Sequence, residues 1–166
     1  MKLTADYMAN VKRKNVLALD CATTTGFYSI HDYGSWSFPS DESAPKKLGP
    51  DYQQHKAFHD KIVEYVKEHD IKVIAAEDVN VGTMFNALRK LAQLQGVLYY
   101  TCAELGIPLV VFNVKNIKKH ATGNGSATKA EMMAAAAKRY HIDAEGDDNA
   151  GDAAHIFFYF CQRYQI

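Results

Sequence analysis

Two of the acidic residues stand at the ends of short apolar runs. Asp20 closes Val16-Leu17-Ala18-Leu19-Asp20, and Glu77 closes Lys72-Val73-Ile74-Ala75-Ala76-Glu77. Each run has the length and composition of a buried strand. Ligand sites in open α/β sheets lie at the carboxyl ends of parallel strands. If the two strands are neighbours, their carboxylates converge at one edge. Asp152, in the first turns of a predicted C-terminal helix, supplies a third. Hard cations such as Mg²⁺ take oxygen ligands. A pair of them about 3.5–4 Å apart stabilises both the attacking and the leaving oxygen of a phosphodiester. An acid after a strand is also a common turn former or helix cap. For each residue alone that is the simpler reading; the set of three, in this order of elements, is what points to metal chemistry.

A basic stretch follows the third predicted parallel strand. Between positions 113 and 141, Lys115, Lys118, Lys119, Lys129, Lys138 and Arg139 face only one acid, Glu131. The Gly-rich loop Gly123-Asn124-Gly125-Ser126 lies inside this stretch. Lysines beside such a loop and at a helix N-terminus suit phosphate contact, helped by free backbone N–H groups and the helix dipole. Charge runs are also ordinarily solvated surface.

The elements that must position these groups follow from periodicity. Val16–Asp20 reads as a strand, Cys21–Gly26 as a tight turn, and Phe27–Ile30 and Gly34–Phe38 as two more strands. Pro39–Pro50 reads as a loop. Tyr52–His69 carries Phe58, Ile62, Val63, Tyr65 and Val66 at helical spacing. After the strand ending at Glu77, a long helix is predicted over Thr83–Leu105, capped by Gly106. A strand over Pro108–Phe112 comes next. Thr128 with Glu131 forms a capping box for a helix ending near Tyr140. An acidic loop over Asp143–Asp148 precedes a last helix over Asn149–Arg163. Three strands joined by short turns are antiparallel, and strands separated by helices are parallel. The expected α/β architecture is a mixed five-stranded sheet with helices on both faces.

The 166 residues suit one domain, read as 15–166 behind a flexible N-terminal extension, 1–14. Nineteen basic residues balance nineteen acidic ones, so any nucleic-acid binding has to come from a basic face rather than a basic whole. Cys21, Cys102 and Cys161 are odd in number and widely spaced, which argues against a disulfide framework or a zinc site. With no apolar run of spanning length and no signal-like N-terminus, the expected location is the cytoplasm and no membrane partner is expected.

The segments Leu19-Asp20 to Gly26, Ala76-Glu77, Gly123-Asn124-Gly125-Ser126-Ala127-Thr128-Lys129 and Asp152-Ala153-Ala154 resemble, in order and spacing, those of RuvC-type Holliday junction resolvases. These are crossover junction endodeoxyribonucleases of the RNase H-like superfamily. The resemblance runs from residue 15 to 162. It implies an RNase H-like fold and a metal-dependent endonuclease that resolves four-way DNA junctions by paired symmetric nicks. It further implies that Asp20, Glu77 and Asp152 bind catalytic Mg²⁺, for which Mn²⁺ can substitute. Lys118 and Lys129 would lie near the scissile phosphate, with Lys115 and Lys119 as further DNA contacts. The chain departs from the family pattern where an Asp or His usually precedes the last catalytic acid by three residues. Asn149 holds that position, so Asn149 or the adjacent Asp148 is the candidate to complete the metal site. Asn80 holds the position where the family tends to place a base-stacking aromatic; Phe85 or Met84 are the local substitutes, although a core or interface role suits them equally.

A homodimer is expected, because a four-way junction has two-fold symmetry. The long helix, carrying Leu88, Leu91, Leu94, Leu98, Tyr99 and Tyr100, is apolar on more than one side and is the expected interface. The opposing expectation buries this helix between the sheet and the C-terminal helix. His155, one turn from Asp152, reads as structural. Three competing functions are a less selective branched-DNA nuclease on the same fold, a catalytically dead junction-binding protein, to which Asn149 points, and an actin-like ATP-dependent phosphotransferase. Asp20-Cys21-Ala22-Thr23-Thr24-Thr25-Gly26 also resembles the phosphate loop of the last, but those enzymes ordinarily use two such domains.

Overall fold

The computed structural model describes residues 3–39, 52–79, 85–142 and 147–166. Strands β1 (Val16–Asp20), β2 (Thr24–Tyr28), β3 (Tyr33–Ser37), β4 (Val73–Glu77) and β5 (Leu109–Phe112) form one sheet in the order β3-β2-β1-β4-β5. β1 pairs antiparallel with β2 and parallel with β4, and β4 pairs parallel with β5. The mixed five-stranded sheet expected from the sequence is therefore observed.

Strand alternation sorts the core into two layers. Val16, Ala18, Val73 and Ala75 face one side, with Ile117, Met132, Phe157 and Phe160. Leu17, Leu19, Ile74 and Ala76 face the other, with Phe58, Ile62, Leu94 and Leu98. The first side is covered by α4 (Val114–Thr122), α5 (Lys129–Tyr140) and α6 (Asp148–Tyr164), the second by α2 (Tyr52–Glu68) and α3 (Phe85–Leu105). The period of two carries on to the strand ends. Asp20 and Glu77, in phase with Val16/Ala18 and Val73/Ala75, thus project toward the α4–α6 side. They are also adjacent: they stand one step beyond the parallel pair Leu19↔Ala76.

α6 lies directly on β1 and β2, which requires small residues on both surfaces. Its first turns supply Ala150, Gly151, Ala153 and Ala154, all buried. The sheet supplies Gly26, where an added Cβ would sit 2.0 Å from the Asn149 carbonyl oxygen. Asp147 caps α6 by accepting from the Ala150 amide and from the Ser35 hydroxyl of β3 at 2.6 Å. The N-terminus of α6 is thereby pinned over the antiparallel half of the sheet.

Several expectations are corrected. The basic stretch after β5, to which the sequence assigned no element, includes a helix: Lys115–His120 belongs to α4, which has Asn113 as N-cap and Gly123 in the left-handed conformation as C-cap. The supposed turn over Cys21–Gly26 ends at Thr23, since β2 begins at Thr24. Residues 3–14 are docked rather than flexible. A short helix α1 (Ala5–Met8) precedes Val11, which is buried in the α6-side core. The Tyr7 hydroxyl donates to the Lys72 carbonyl at 2.7 Å, and Arg13 Nε donates to the Ile166 carbonyl at 2.9 Å. The long helix lies with α2 on the face opposite α6, so it is not sandwiched between the sheet and the C-terminal helix. Asn80, Met84, most of the Pro39–Pro50 loop and most of the Asp143–Asp148 loop fall outside the described residues.

Candidate active site

Five elements meet where β1 and β4 end. Asp20 and Glu77 come from the strands and Asp152 from the second turn of α6. Lys118 comes from α4 and Lys129 from the first turn of α5. Together with Val114, Ile117 and Met132 they line one cavity of about 230 Å³. The structure thus brings Asp20, Glu77, Asp152, Lys118 and Lys129 together around one cavity.

Each lysine is held differently. Lys118 Nζ donates to the Ala127 carbonyl at 2.7 Å, which ties α4 to the loop before α5. An ammonium has three N–H donors, so two stay available to the cavity. Lys129 Nζ pairs with Asp152 and, at 3.3 Å, with Asp148. Its position follows from the Thr128–Glu131 capping box, which fixes the start of α5. The buried His155 fixes α6 against α5: its Nε2 contacts the Met132 carbonyl at 2.9 Å. This is the structural role expected of it.

The electrostatics are those of crowded acids in a partly dry site. Burial, and then repulsion by Asp152, pushes the Asp20 carboxyl up to about 6. Burial, and then repulsion by Asp20 and Asp152, pushes Glu77 up to about 7. Burial disfavours the Lys129 ammonium, but its bonds to Asp152 and Asp148 outweigh that and hold its pKa above the ordinary value. Cys21, next to Asp20, is pushed well above the usual thiol range by burial and is no nucleophile at neutral pH.

Other sequence candidates fall away from this cavity. Asn149 turns its backbone against Gly26 and does not line the cavity; Asp148 is half exposed and paired with Lys129. Lys115 is exposed on α4, and Lys119 lines a different cavity. Phe85 is 76% exposed at the start of α3. Asp20 and Glu77 also border a second cavity, of about 350 Å³, on the α3 side, together with Asp78, Val79, Leu91 and Gln95. The Gln95 amide reaches the Glu77 carbonyl at 3.5 Å and Asp78 Oδ1 at 3.4 Å. Sequence reasoning missed Gln95. A polar residue on the otherwise apolar stripe Leu91–Leu94–Leu98 was the available signal.

Comparison with solved structures shows which fold this arrangement belongs to. Thermus thermophilus RuvC, in a complex described as with Holliday junction substrate, matches with a TM-score of 0.67 at 16% identity, over 87% of this chain and 90% of that one. The yeast mitochondrial Holliday junction resolvase Ydc2 matches with a TM-score of 0.56 at 14% identity, over 96% of this chain and 82% of that one. The fold is RNase H-like, with its acids at the ends of adjacent parallel strands. The family model described as "Crossover junction endodeoxyribonuclease RuvC" matches residues 40–158, and the chain belongs to that family. The matched span contains Glu77, Lys118, Lys129 and Asp152; Asp20 precedes it. Curated relatives of the same description include one from Alkalilimnicola ehrlichii, 26% identical over 105 residues, covering 63% of this chain and 64% of the relative. Another, from Nitratidesulfovibrio vulgaris, is 28% identical over 108 residues, covering 65% and 60%. The chain thus spans less than two thirds of the length of these relatives.

Proposed function

We propose that the chain is a metal-dependent DNA endonuclease that resolves four-way junctions, cutting at the cavity between β1, β4, α4, α5 and α6. The observation that carries this reading is the convergence of three carboxylates and two lysines, from five elements, on that one cavity.

The donor set fits hard divalent cations. It is all oxygen, and Asp20 and Glu77 are held above the ordinary carboxylate range by burial and then by repulsion from neighbouring acids, Asp152 in both cases, a cost that a cation removes. Among the described residues no three His, Cys, Asp or Glu side chains stand close enough to hold one ion by themselves. Mg²⁺ is ordinarily held by only one or two carboxylates, with waters and substrate phosphate completing its shell. Asp20, Glu77 and Asp152 are the residues that would hold such ions; Mg²⁺ is the proposed metal, with Mn²⁺ as a substitute. When bound, the ions supply positive charge to the phosphate under attack.

The chain's own groups do the rest. Lys118 directs its free N–H donors at a phosphate entering the cavity. Lys129 is the neutralising cation of Asp152 and Asp148, and with those carboxylates held by a cation its ammonium would be free to contact phosphate. The close approach of α6 to Gly26 and the Asp147 cap, which accepts from the Ser35 hydroxyl, hold Asp152 above the strand ends.

The functional unit is proposed to be a homodimer in the cytoplasm. The outer face of α3 exposes Tyr99 (49%), Tyr100 (65%) and Phe85, and an open groove of about 740 Å³ runs between α2 and α3. Two sites related by a two-fold axis match the symmetry of a four-way junction and permit both nicks in one encounter. The three cysteines are free, as a reducing compartment requires, and no helix among the described residues is long and apolar enough to cross a membrane.

The test is a panel of end-labelled DNAs, namely four-way junction, linear duplex and single strand, with Mg²⁺ or with chelator. Symmetric nicking of the junction, dependent on Mg²⁺, is the expected result. Equal cutting of forked and four-way DNA would move the assignment to a general branched-DNA nuclease. ATP turnover without nicking would move it to the phosphotransferase.

A further inference from the structure

We propose that the cavity on the far side of α4 is a second phosphate site, which takes the DNA strand a few nucleotides away from the cut. The inference rests on the nuclease reading above and extends its contact surface. The cavity holds about 390 Å³ and is lined by Asn116, Lys119, His120, Arg139, Tyr159 and Gln162. No acid lines it, and two cations do. By contrast, the larger groove between α2 and α3 mixes the acids Asp60 and Glu104 with Lys56, His55 and His59, and its lysine is already paired with Asp60.

Helix geometry separates the two sites. At about 100° per residue, Lys118 and its neighbour Lys119 leave α4 in different directions. Lys118 enters the catalytic cavity and Lys119 enters this one. Lys115, about 40° from Lys119 by the same spacing, is exposed between them. A positive band therefore crosses α4 from one cavity to the other. A helix with its side chains is about 10–12 Å across. At about 3.4 Å per nucleotide along a strand, that width corresponds to about three nucleotides.

The cations are built to accept an outside anion. Lys119 forms no ion pair or hydrogen bond among the described residues. Arg139 uses one end only: Nη1 donates to the carbonyls of His120 at 2.6 Å and Ala121 at 2.8 Å, at the C-terminal turn of α4. This anchors the guanidinium and leaves its other N–H groups, three of the five such a side chain carries, for a ligand. The amides of Asn116 and Gln162 and the Tyr159 hydroxyl add further donors. A planar, anchored fork with an unpaired ammonium beside it suits phosphate oxygens.

The experiment measures junction affinity in chelator over a range of salt, for the full chain and three variants. Lys119→Glu reverses one charge, and Gln162→Glu introduces an acid while removing no cation. Lys67→Glu, on α2 across the sheet, is the control for net charge. The expected result is affinity lowered about tenfold by K119E and by Q162E. The salt slope should fall by about one unit for K119E. K67E should change neither quantity, and all three should melt with the wild type. Normal affinity and slope in both K119E and Q162E, beside a wild type that binds junction, overturn this inference and leave the nuclease reading standing. Loss of inorganic phosphate binding in those variants with unchanged DNA affinity marks a small-anion site and also overturns it. A wild type that binds no DNA overturns both readings.

Discussion

The two faces of the sheet are built from the same strands and do opposite things. On the α4–α6 face, alternate residues of β1 and β4 end in Asp20 and Glu77, and the covering helices add Asp152, Lys118 and Lys129. Charge there is buried, paired and held by caps. On the α2–α3 face the intervening residues are Leu17, Leu19, Ile74 and Ala76, and the covering layer ends in exposed aromatic rings. One face concentrates chemistry. The other offers exposed aromatic surface at Phe85, Tyr99 and Tyr100, the kind of surface that marks association sites. A shift of one residue in either strand would exchange these roles, because side chains alternate with a period of two.

The sharpest break of this comparison is at Gly26. Its missing Cβ is what lets α6 rest on β2, so Gly26→Ala should destabilise the protein by about 3 kcal/mol or more, beyond the usual range for overpacking because the clash is with backbone. Chemical denaturation measures this. Cleavage should fall further than stability does, since Asp152 rides on the displaced helix. A fully stable G26A would show that α6 can lift without cost.

Next in size is the effect of the crowded acids on the metal-free protein. The folded-state values of Asp20 and Glu77, about 6 and about 7, lie above their ordinary values of 3.8 and 4.5. The folded chain therefore binds these protons more tightly than the unfolded chain does. The resulting stabilisation is complete below about pH 4 and is lost as pH rises through about 7. Asp20→Asn should recover roughly 1–3 kcal/mol of metal-free stability at neutral pH. Melting in chelator measures it, and added Mg²⁺ should raise the wild-type midpoint more than that of D20N. His155 works in the opposite sense. Burial holds its pKa down, and its Nδ1 has no partner among the described residues. Protonation of the unfolded chain therefore takes stability away as pH falls below about 6.5.

On the opposite face, Tyr100→Glu places a charge in the exposed aromatic patch. Sedimentation should show a dimer for the wild type at micromolar concentration and a monomer of about half that mass for Y100E, corresponding to at least about 2 kcal/mol of association energy. A wild type that stays at 18.5 kDa with junction bound would remove the association role from that face. The smallest effect is expected at Lys118. Lys118→Ala should lower the salt slope of junction binding by about one unit and slow cutting by about tenfold, with a modest fall in melting temperature from the lost bond to the Ala127 carbonyl.

The strand-end acids were legible because each closes an unbroken apolar run, and a buried parallel strand leaves few other readings of such a run. The Thr128–Glu131 box was legible for the same kind of reason, being a local pattern with a local cause. α4 escaped because only Ile117 and Ala121 are buried in its nine residues, too few to set a period, although Asn113 and Gly123 marked its ends. Reading Lys118 and Lys119 as one basic cluster followed sequence adjacency. The helix sends them to separate cavities. The close approach of Gly26 to Asn149 had no local signature, because it joins residues more than a hundred positions apart. The N-terminal segment looked polar enough to be loose, yet Tyr7 and Val11 dock it on the core.

The central claim is that Asp20, Glu77 and Asp152 act together as one metal-holding, phosphodiester-cleaving set. Single-turnover cleavage of a labelled four-way junction in saturating Mg²⁺, for the wild type and for D20N, E77Q and D152N, tests it most directly. Each substitution should slow cutting by about a thousandfold or more, while junction affinity measured in chelator stays within about threefold of the wild type. If any one of the three variants retained cutting within about tenfold of the wild type, with junction still bound, that residue would not belong to the set and the account would be contradicted.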